Sequence, residues 1–390
     1  MPERTSIALL AGLAALTLPA AADAAEVTRS GSGDLLVAAA PGEVNRMRVA
    51  DDGPGVVRIR DEVLLRESIN ACTAVTSFEV RCAVTPGQAI VLRQGDRDDR
   101  AEVATTVRVG IDAQAGNDTY AGGLTAGRSF VLLRGGTGKD TADYAGATAG
   151  VTVHLGNGPD DGRPGDDDDV ADAETIVGSR FADDLAGTPA AETFYPGQGD
   201  DVVRGDGGAD RYGSLATADG ADRIIGSRQG DIVSYTDRTR GVNVTVSAGG
   251  ANDGEPGERD EILDVSGVRS GSGADTLSLL QTVDAELDGG AGADTLTTGG
   301  GRDVLVGGAG VDTLSSGFGV DRVVASDGDR DKIDCGGDSP DEALVAGSGV
   351  EGSITGCENV VRARPPAGST GPLAGVLSVL PAGGRIEVAR

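Results

Sequence analysis

An aspartate returns every nine residues near the end of this 390-residue chain, as Asp294, Asp303, Asp312 and Asp321. Each is sixth in a unit with Gly at the fourth place and an aliphatic residue at the eighth. The units read GGAGADTLT (289–297), TGGGRDVLV (298–306), GGAGVDTLS (307–315) and SGFGVDRVV (316–324). Such a period is the mark of a parallel β-roll or β-helix. Two units make one turn of it, so side chains 18 residues apart stack on one edge, Asp294 with Asp312 and Asp303 with Asp321. Carboxylates a strand spacing apart, about 5 Å, repel one another, and the spacing therefore predicts a cation between them. Calcium suits the position, because it accepts about six to eight oxygens in flexible geometry and Gly-rich turns add backbone carbonyls. Magnesium demands stricter octahedral geometry, and zinc wants His or Cys. His154 is the one histidine of the chain.

The elements that hold these aspartates follow from the same units. The first six residues form a tight turn, since Gly adopts positive φ cheaply, and the last three form a short strand with its apolar residue pointing inward. Worn copies appear earlier. AQAGNDTYA (113–121) and GGTGKDTAD (135–143) come first, followed by the block GSRFADDLA (178–186), GTPAAETFY (187–195), PGQGDDVVR (196–204) and GDGGADRYG (205–213). Its sixth positions are Asp183, Glu192, Asp201 and Asp210, so Asp183 stacks with Asp201 and Glu192 with Asp210. TADGADRII (217–225), GSRQGDIVS (226–234) and SGSGADTLS (270–278) continue the phase. A longer duplication aligns 143–172 with 234–264, which predicts two matching excursions from one roll, at 143–177 and 234–269.

Composition supports a thin fold. With 64 Gly, no Trp and 3% aromatic residues there is little material for a thick core. A formal charge of −29 disfavours nucleic acid and anionic membrane surfaces as partners. Residues 1–25 read as an export signal, with Arg4 in a polar start, an apolar run from Ile7 to Leu18 and the small-x-small site Ala22-Asp23-Ala24. That run is too short to span a bilayer, and no later segment is long enough. In an exported chain an even cysteine count favours disulfides, and proximity pairs Cys72 with Cys82 and Cys335 with Cys357.

The chain is thus expected to be all-β: a β-rich N-terminal region (26–110), a β-roll (111–324), a disulfide-closed C-terminal cap (325–362) and a flexible tail (363–390). The units resemble the repeats-in-toxin, or hemolysin-type calcium-binding, family, whose pattern is Gly-Gly-x-Gly-x-Asp-x-aliphatic-x. The match is specific over 289–324 and recognisable over 113–324. The resemblance implies calcium ligands at Asp294, Asp303, Asp312 and Asp321, with turn glycines Gly289, Gly290, Gly292, Gly299, Gly301, Gly307, Gly308, Gly310, Gly317 and Gly319. By the same pattern Asp118, Asp140, Asp183, Asp201, Asp210, Asp222, Asp231 and Asp275 are ligands of second rank. Many members leave the cell by an uncleaved C-terminal signal, whereas this chain has an N-terminal one.

The function expected is calcium binding that stiffens a secreted, extracellular scaffold, with no catalysis. Two alternatives stand beside it: a calcium-dependent adhesin whose excursions meet a cell-surface or polysaccharide ligand, and a carbohydrate-active enzyme for which the roll is accessory. The run Asp166 to Asp169 is expected to be a solvated loop and His154 an ordinary strand-edge residue; Asp327, Asp329 and Asp331 could close a last ion.

Overall fold

The computed structural model describes residues 24–125, 127–214, 218–246, 250, 252–337, 340–346 and 352–363. Except for Ala24 and Ala25 the expected export signal lies outside them, and so, except for Ala363, does the tail. The described residues contain strands and turns and no helix.

Strands of about three residues repeat because each nonapeptide has only one stretch free of turn glycine. Thr295–Thr298, Val304–Val306, Thr313–Ser315 and Arg322–Ala325 cover the last three places of their units, the first and last of them running one residue further. Alternate strands pair in parallel across one turn of the coil. Leu296 is the partner of Leu314, and Leu305 that of Val323, each 18 residues on. The eighth-position side chains Leu296, Leu305, Leu314 and Val323 are almost wholly buried. Each such side chain stabilises its turn by roughly 1.5–3 kcal/mol.

One side of the coil is a single long ladder. It begins with an antiparallel group, Cys72–Thr76, Glu79–Ala83, Val56–Arg60 and Arg46–Asp51. Arg46–Asp51 then pairs in parallel with Arg100–Ala104, and parallel pairing continues to Asn359–Ala363. The N-terminal strands are therefore continuous with the repeats. The other side is divided among three successive sheets of seven, five and six strands.

The two long segments read as excursions are where one of these sheets hands over to the next. In the first, Asp169–Val170 ends the seven-stranded sheet while Thr152–His154 begins the five-stranded one. In the second, Glu261–Leu263 ends the five-stranded sheet and Asn243–Val246 begins the six-stranded one. Both segments thus supply rungs of the coil as well as loops. The duplication in sequence is a duplication of geometry, since the bridges Thr152 to Gly162 and Asp161 to Asp168 recur as Asn243 to Gly254 and Asp253 to Asp260.

Aromatic residues fill part of the coil's interior. Phe194 and Tyr212 share a register and stack with ring centroids 5.5 Å apart, and Tyr120 meets Tyr144 edge-on at 5.9 Å. Two disulfides are present: Cys72 to Cys82 joins register partners in the antiparallel group, and Cys335 to Cys357 ties together the last coils.

Candidate metal centre

Glycines shape each turn of the terminal block, for two different reasons. Gly292 and Gly310, at the fourth place, have φ of 148° and 130°, where a side chain is strained. A Cβ on Gly310 would also lie inside van der Waals contact with the carbonyl oxygen of Gly292, so successive turns stack backbone on backbone. The first-place glycines Gly289 and Gly307 have no positive φ and are demanded by space. A Cβ on Gly289 would sit 2.7 Å from Asp294 Oδ2, and one on Gly307 2.5 Å from Asp312 Oδ2. In these two units the sixth-position carboxylate therefore folds back over the first residue of its own unit. Gly178 and Gly226 stand in the same relation to Asp183 and Asp231, at 2.5 and 2.8 Å.

The aspartates stack as the period requires, though the contact between them is not carboxylate against carboxylate. Oδ1 of Asp312 accepts the backbone N–H of Asp294 at 2.9 Å, and Oδ1 of Asp321 that of Asp303 at 2.9 Å. A parallel coil aims the N–H of each sixth residue at the next turn, so an amide lies where the sequence suggested mutual repulsion. Asp275, Asp294, Asp312 and Asp331 form one such run, linked at 2.8, 2.9 and 2.9 Å. Asp303, Asp321, Asp341 and Glu358 form the run on the opposite edge.

The worn block obeys the same rule. Asp201 accepts from Asp183, and Asp222 from Asp201, at 2.8 and 3.0 Å; Asp210 accepts from Glu192, and Asp231 from Asp210, both at 2.9 Å. Earlier still, Asp118 accepts from Asp99 at 2.8 Å and Asp140 from Asp118 at 2.9 Å. All twelve aspartates singled out by the repeats are rungs of these two ladders and are buried.

What distinguishes the rungs is the second oxygen. Oδ2 of Asp118, Asp201, Asp294, Asp303 and Asp312 is buried and has no hydrogen-bond partner in the protein. Elsewhere the chain engages it. Ser179 donates its N–H and its hydroxyl to Asp183 at 2.5 and 2.8 Å, and Ser227 does the same to Asp231 at 2.5 and 2.9 Å. Thr188 contributes a hydroxyl to Glu192 at 2.5 Å. Ser179, Thr188 and Ser227 are the second residues of their units, where the terminal block has Gly290, Gly299, Gly308 and Gly317.

Burial raises the acidity constants of the ladder. Asp118, Asp201 and Asp294 are pushed from the ordinary 3.8 up to about 7, first by loss of hydration and then by neighbouring carboxylates, against the lowering effect of the amide bond. Asp303 rises to about 6 for the same leading reason. Among the described residues no group of three or more His, Cys, Asp or Glu side chains forms a ready metal cage, so along the ladders the acid groups stand in rows. An unpartnered, dehydrated carboxylate oxygen beside stacked glycine carbonyls is a donor set of hard oxygens, which fits calcium and not a soft metal.

Several rungs escaped the repeat pattern: Asp99, Asp168, Glu174, Asp260, Asp331, Asp341 and Glu358. Glycine spacing misses them, but an acid two places before a buried or partly buried apolar residue finds most of them, as in Asp99-x-Ala101, Asp260-x-Ile262 and Asp331-x-Ile333. Asp168, expected on a solvated loop, is wholly buried and accepts from Val131 N–H at 2.8 Å and the Ser129 hydroxyl at 3.1 Å. Its place is set by the hand-over between sheets, which carries no glycine signal. Asp166 of the same run is also buried. His154 is partly buried at the edge, 3.5 Å from Asp184.

No curated protein matches the chain significantly. The family profile of the RTX calcium-binding nonapeptide repeat (four copies) matches residues 168–203, 186–212 and 287–329, the segments whose aspartates make up much of the two ladders. The chain therefore carries RTX, or hemolysin-type, calcium-binding nonapeptide repeats, wound here into a parallel β-coil.

Proposed function

We propose that this chain is an exported scaffold whose coil is stiffened by calcium held along the two aspartate ladders. The observation that carries this is the buried Oδ2 of Asp294, Asp303 and Asp312, which lacks a partner within the protein. A carboxylate oxygen withdrawn from water without a partner is costly, and a divalent cation removes that cost. In the terminal block Asp294, Asp303, Asp312 and Asp321 would be the carboxylate ligands, with carbonyls from turns containing Gly289, Gly290, Gly292, Gly299, Gly301, Gly307, Gly308, Gly310, Gly317 and Gly319. Asp118 and Asp201 share the unpartnered oxygen. Asp183 and Asp231 are weaker candidates, because serine already occupies theirs. Bound calcium would supply positive charge and oxygen coordination, so that ion uptake and ordering of the coil are one equilibrium.

The proposal places the chain outside the cell, where free calcium is in the range that extracellular modules use. The apolar run at Ile7 to Leu18 supports export. No helix among the described residues is long and apolar enough to cross a membrane. Calorimetric titration of the ion-free chain with calcium tests the reading, alongside β-sheet circular dichroism. Heat of binding with a gain of sheet signal is expected. No binding heat and an unchanged spectrum in excess chelator would refute it.

A further inference from the structure

The two hand-overs between sheets carry something the repeats lack, an arginine drawn into the coil, and in the second it is fully dehydrated. In the second hand-over Arg238 has no exposed side-chain surface. Its guanidinium lies 2.7 Å from Asp219 Oδ1, 2.6 Å from Glu258 Oε1 and 3.5 Å from Glu255 Oε1. Those three carboxylates are at most 4% exposed. They come from two parts of the coil, Asp219 from the turn before and the two glutamates from the hand-over loop. The carbonyl of Arg238 accepts Ser272 N–H at 3.0 Å from the turn after. A positive centre gathering oxygens from adjacent turns is the task a metal ion would perform elsewhere along the ladder.

The first hand-over does the same from a different position. Arg163 is bidentate to Asp166 at 2.9 and 3.2 Å. It also donates to the carbonyls of Thr125 and Gly127 at 2.6 and 2.7 Å and to the Thr148 hydroxyl at 3.0 Å. In the duplicated alignment Arg163 corresponds to Glu255, Asp166 to Glu258 and Arg238 to Ala147. The arginine has changed position between the two copies, and an arginine–carboxylate centre is present in both. Independent placement of the same charge is hard to explain as sequence drift, because a carboxylate buried without its cation, one at the first hand-over and a group of them at the second, is strongly destabilising.

We propose that Arg163 and Arg238 stand in for calcium at the two hand-overs, so that these points of the coil hold without the ion and divide it into separately responsive blocks. The hand-over loops are otherwise closed by the chain itself. Asp253 accepts amides of Thr245 and Ile262 at 2.7 and 3.0 Å, and Asp161 those of His154 and Val170, both at 2.7 Å. Both oxygens of each carboxylate are thus engaged, unlike those of Asp294 or Asp312. The inference rests on the calcium reading only for its contrast with the ladder.

Hydrogen exchange on the full chain in excess chelator, with calcium titration of the same samples, tests it. The amides of Thr245, Asp253, Asp260 and Ile262 are expected to stay protected while those of Asp275, Asp294 and Asp312 exchange at least about tenfold faster. Arg238→Ala leaves Asp219 and Glu258 without their cation, while Glu255 keeps Arg240 at 3.1 Å. Its hand-over amides should lose protection in chelator, regain it in calcium chloride, and the variant should take up one more calcium than the parent. Arg238→Lys keeps the charge and should behave as the parent does. Hand-over amides that exchange as fast as ladder amides in the chelated parent overturn the proposal. So does an Arg238→Ala chain that keeps its protection in chelator or fails to recover it in calcium. A parent that takes up no calcium, but whose hand-over amides still depend on Arg238, refutes the scaffold reading alone.

Discussion

Replacing Asp294 by Asn or by Ala separates the two jobs its carboxylate performs. Oδ1 accepts the Asp275 amide at 2.8 Å, and Oδ2 is buried with no partner above Gly289. Asn keeps an oxygen for the amide and removes the charge, whereas Ala removes both. Holding the charge in the folded, ion-free chain costs at most on the order of 4 kcal/mol, from the interval between the ordinary 3.8 and about 7. Leaving the Asp275 amide unpaired costs about 1–3 kcal/mol. In metal-free buffer at pH 8, Asp294→Asn should therefore be more stable than the parent, and more stable than Asp294→Ala by about 1–3 kcal/mol. In saturating calcium the order reverses and both variants fall below the parent, because neither supplies a charged ligand. Urea unfolding followed by circular dichroism, with and without calcium, reads both orders. An Asn variant no more stable than Ala without calcium, or a calcium response unchanged by either substitution, would refute the division of labour between the two oxygens.

Other outcomes follow from the same geometry. Without metal, the folded coil holds protons on Asp118, Asp201 and Asp294 up to about pH 7, against 3.8 ordinarily. That stabilisation is complete below 3.8 and is lost as pH rises through about 7. The melting temperature in metal-free buffer should thus fall from pH 5 to pH 8, and a rise over that range would contradict it. Ser227→Gly removes the hydroxyl, one of the two donors on the second oxygen of Asp231, while the backbone N–H stays, and should raise calcium affinity at that rung, read by calorimetry. Gly310→Ala and Gly328→Ala both place Ala at positive φ, 130° and 102°, but only Gly310 faces a carbonyl at close range. Chemical denaturation should find Gly310→Ala the worse by at least about 2 kcal/mol, a difference due to space alone.

The coil was legible because its period is written in residues with narrow conformational preferences. Gly at the fourth place and an aliphatic residue at the eighth give the two-strand turn, and the paired Leu296 and Leu314 show it directly. Less legible was what the aspartates touch. An acid at fixed spacing announces a row of charge, but nothing in the letters says that the neighbouring turn presents an amide to it. The first-place glycines looked like turn residues, and in Gly289 and Gly307 the need is for room. Where the chain leaves the nonapeptide, as at Asp168, Asp260 and Arg238, the rungs are set by sheet hand-over and long-range packing, for which no local signal exists beyond an acid two places before an apolar residue.

The ladder also has a direction. From Asp275 to Asp312 on one edge, and from Asp303 to Asp341 on the other, each rung lends its N–H forward to a carboxylate found one turn later in the chain, ending where Asp341 donates to Glu358 at 2.8 Å. A growing or emerging polypeptide can finish a given turn only after the following one has appeared, so completion trails synthesis by one winding. Cutting the coil within these two runs leaves amide donors without acceptors at the downstream end of one piece and carboxylates without donors at the start of the other.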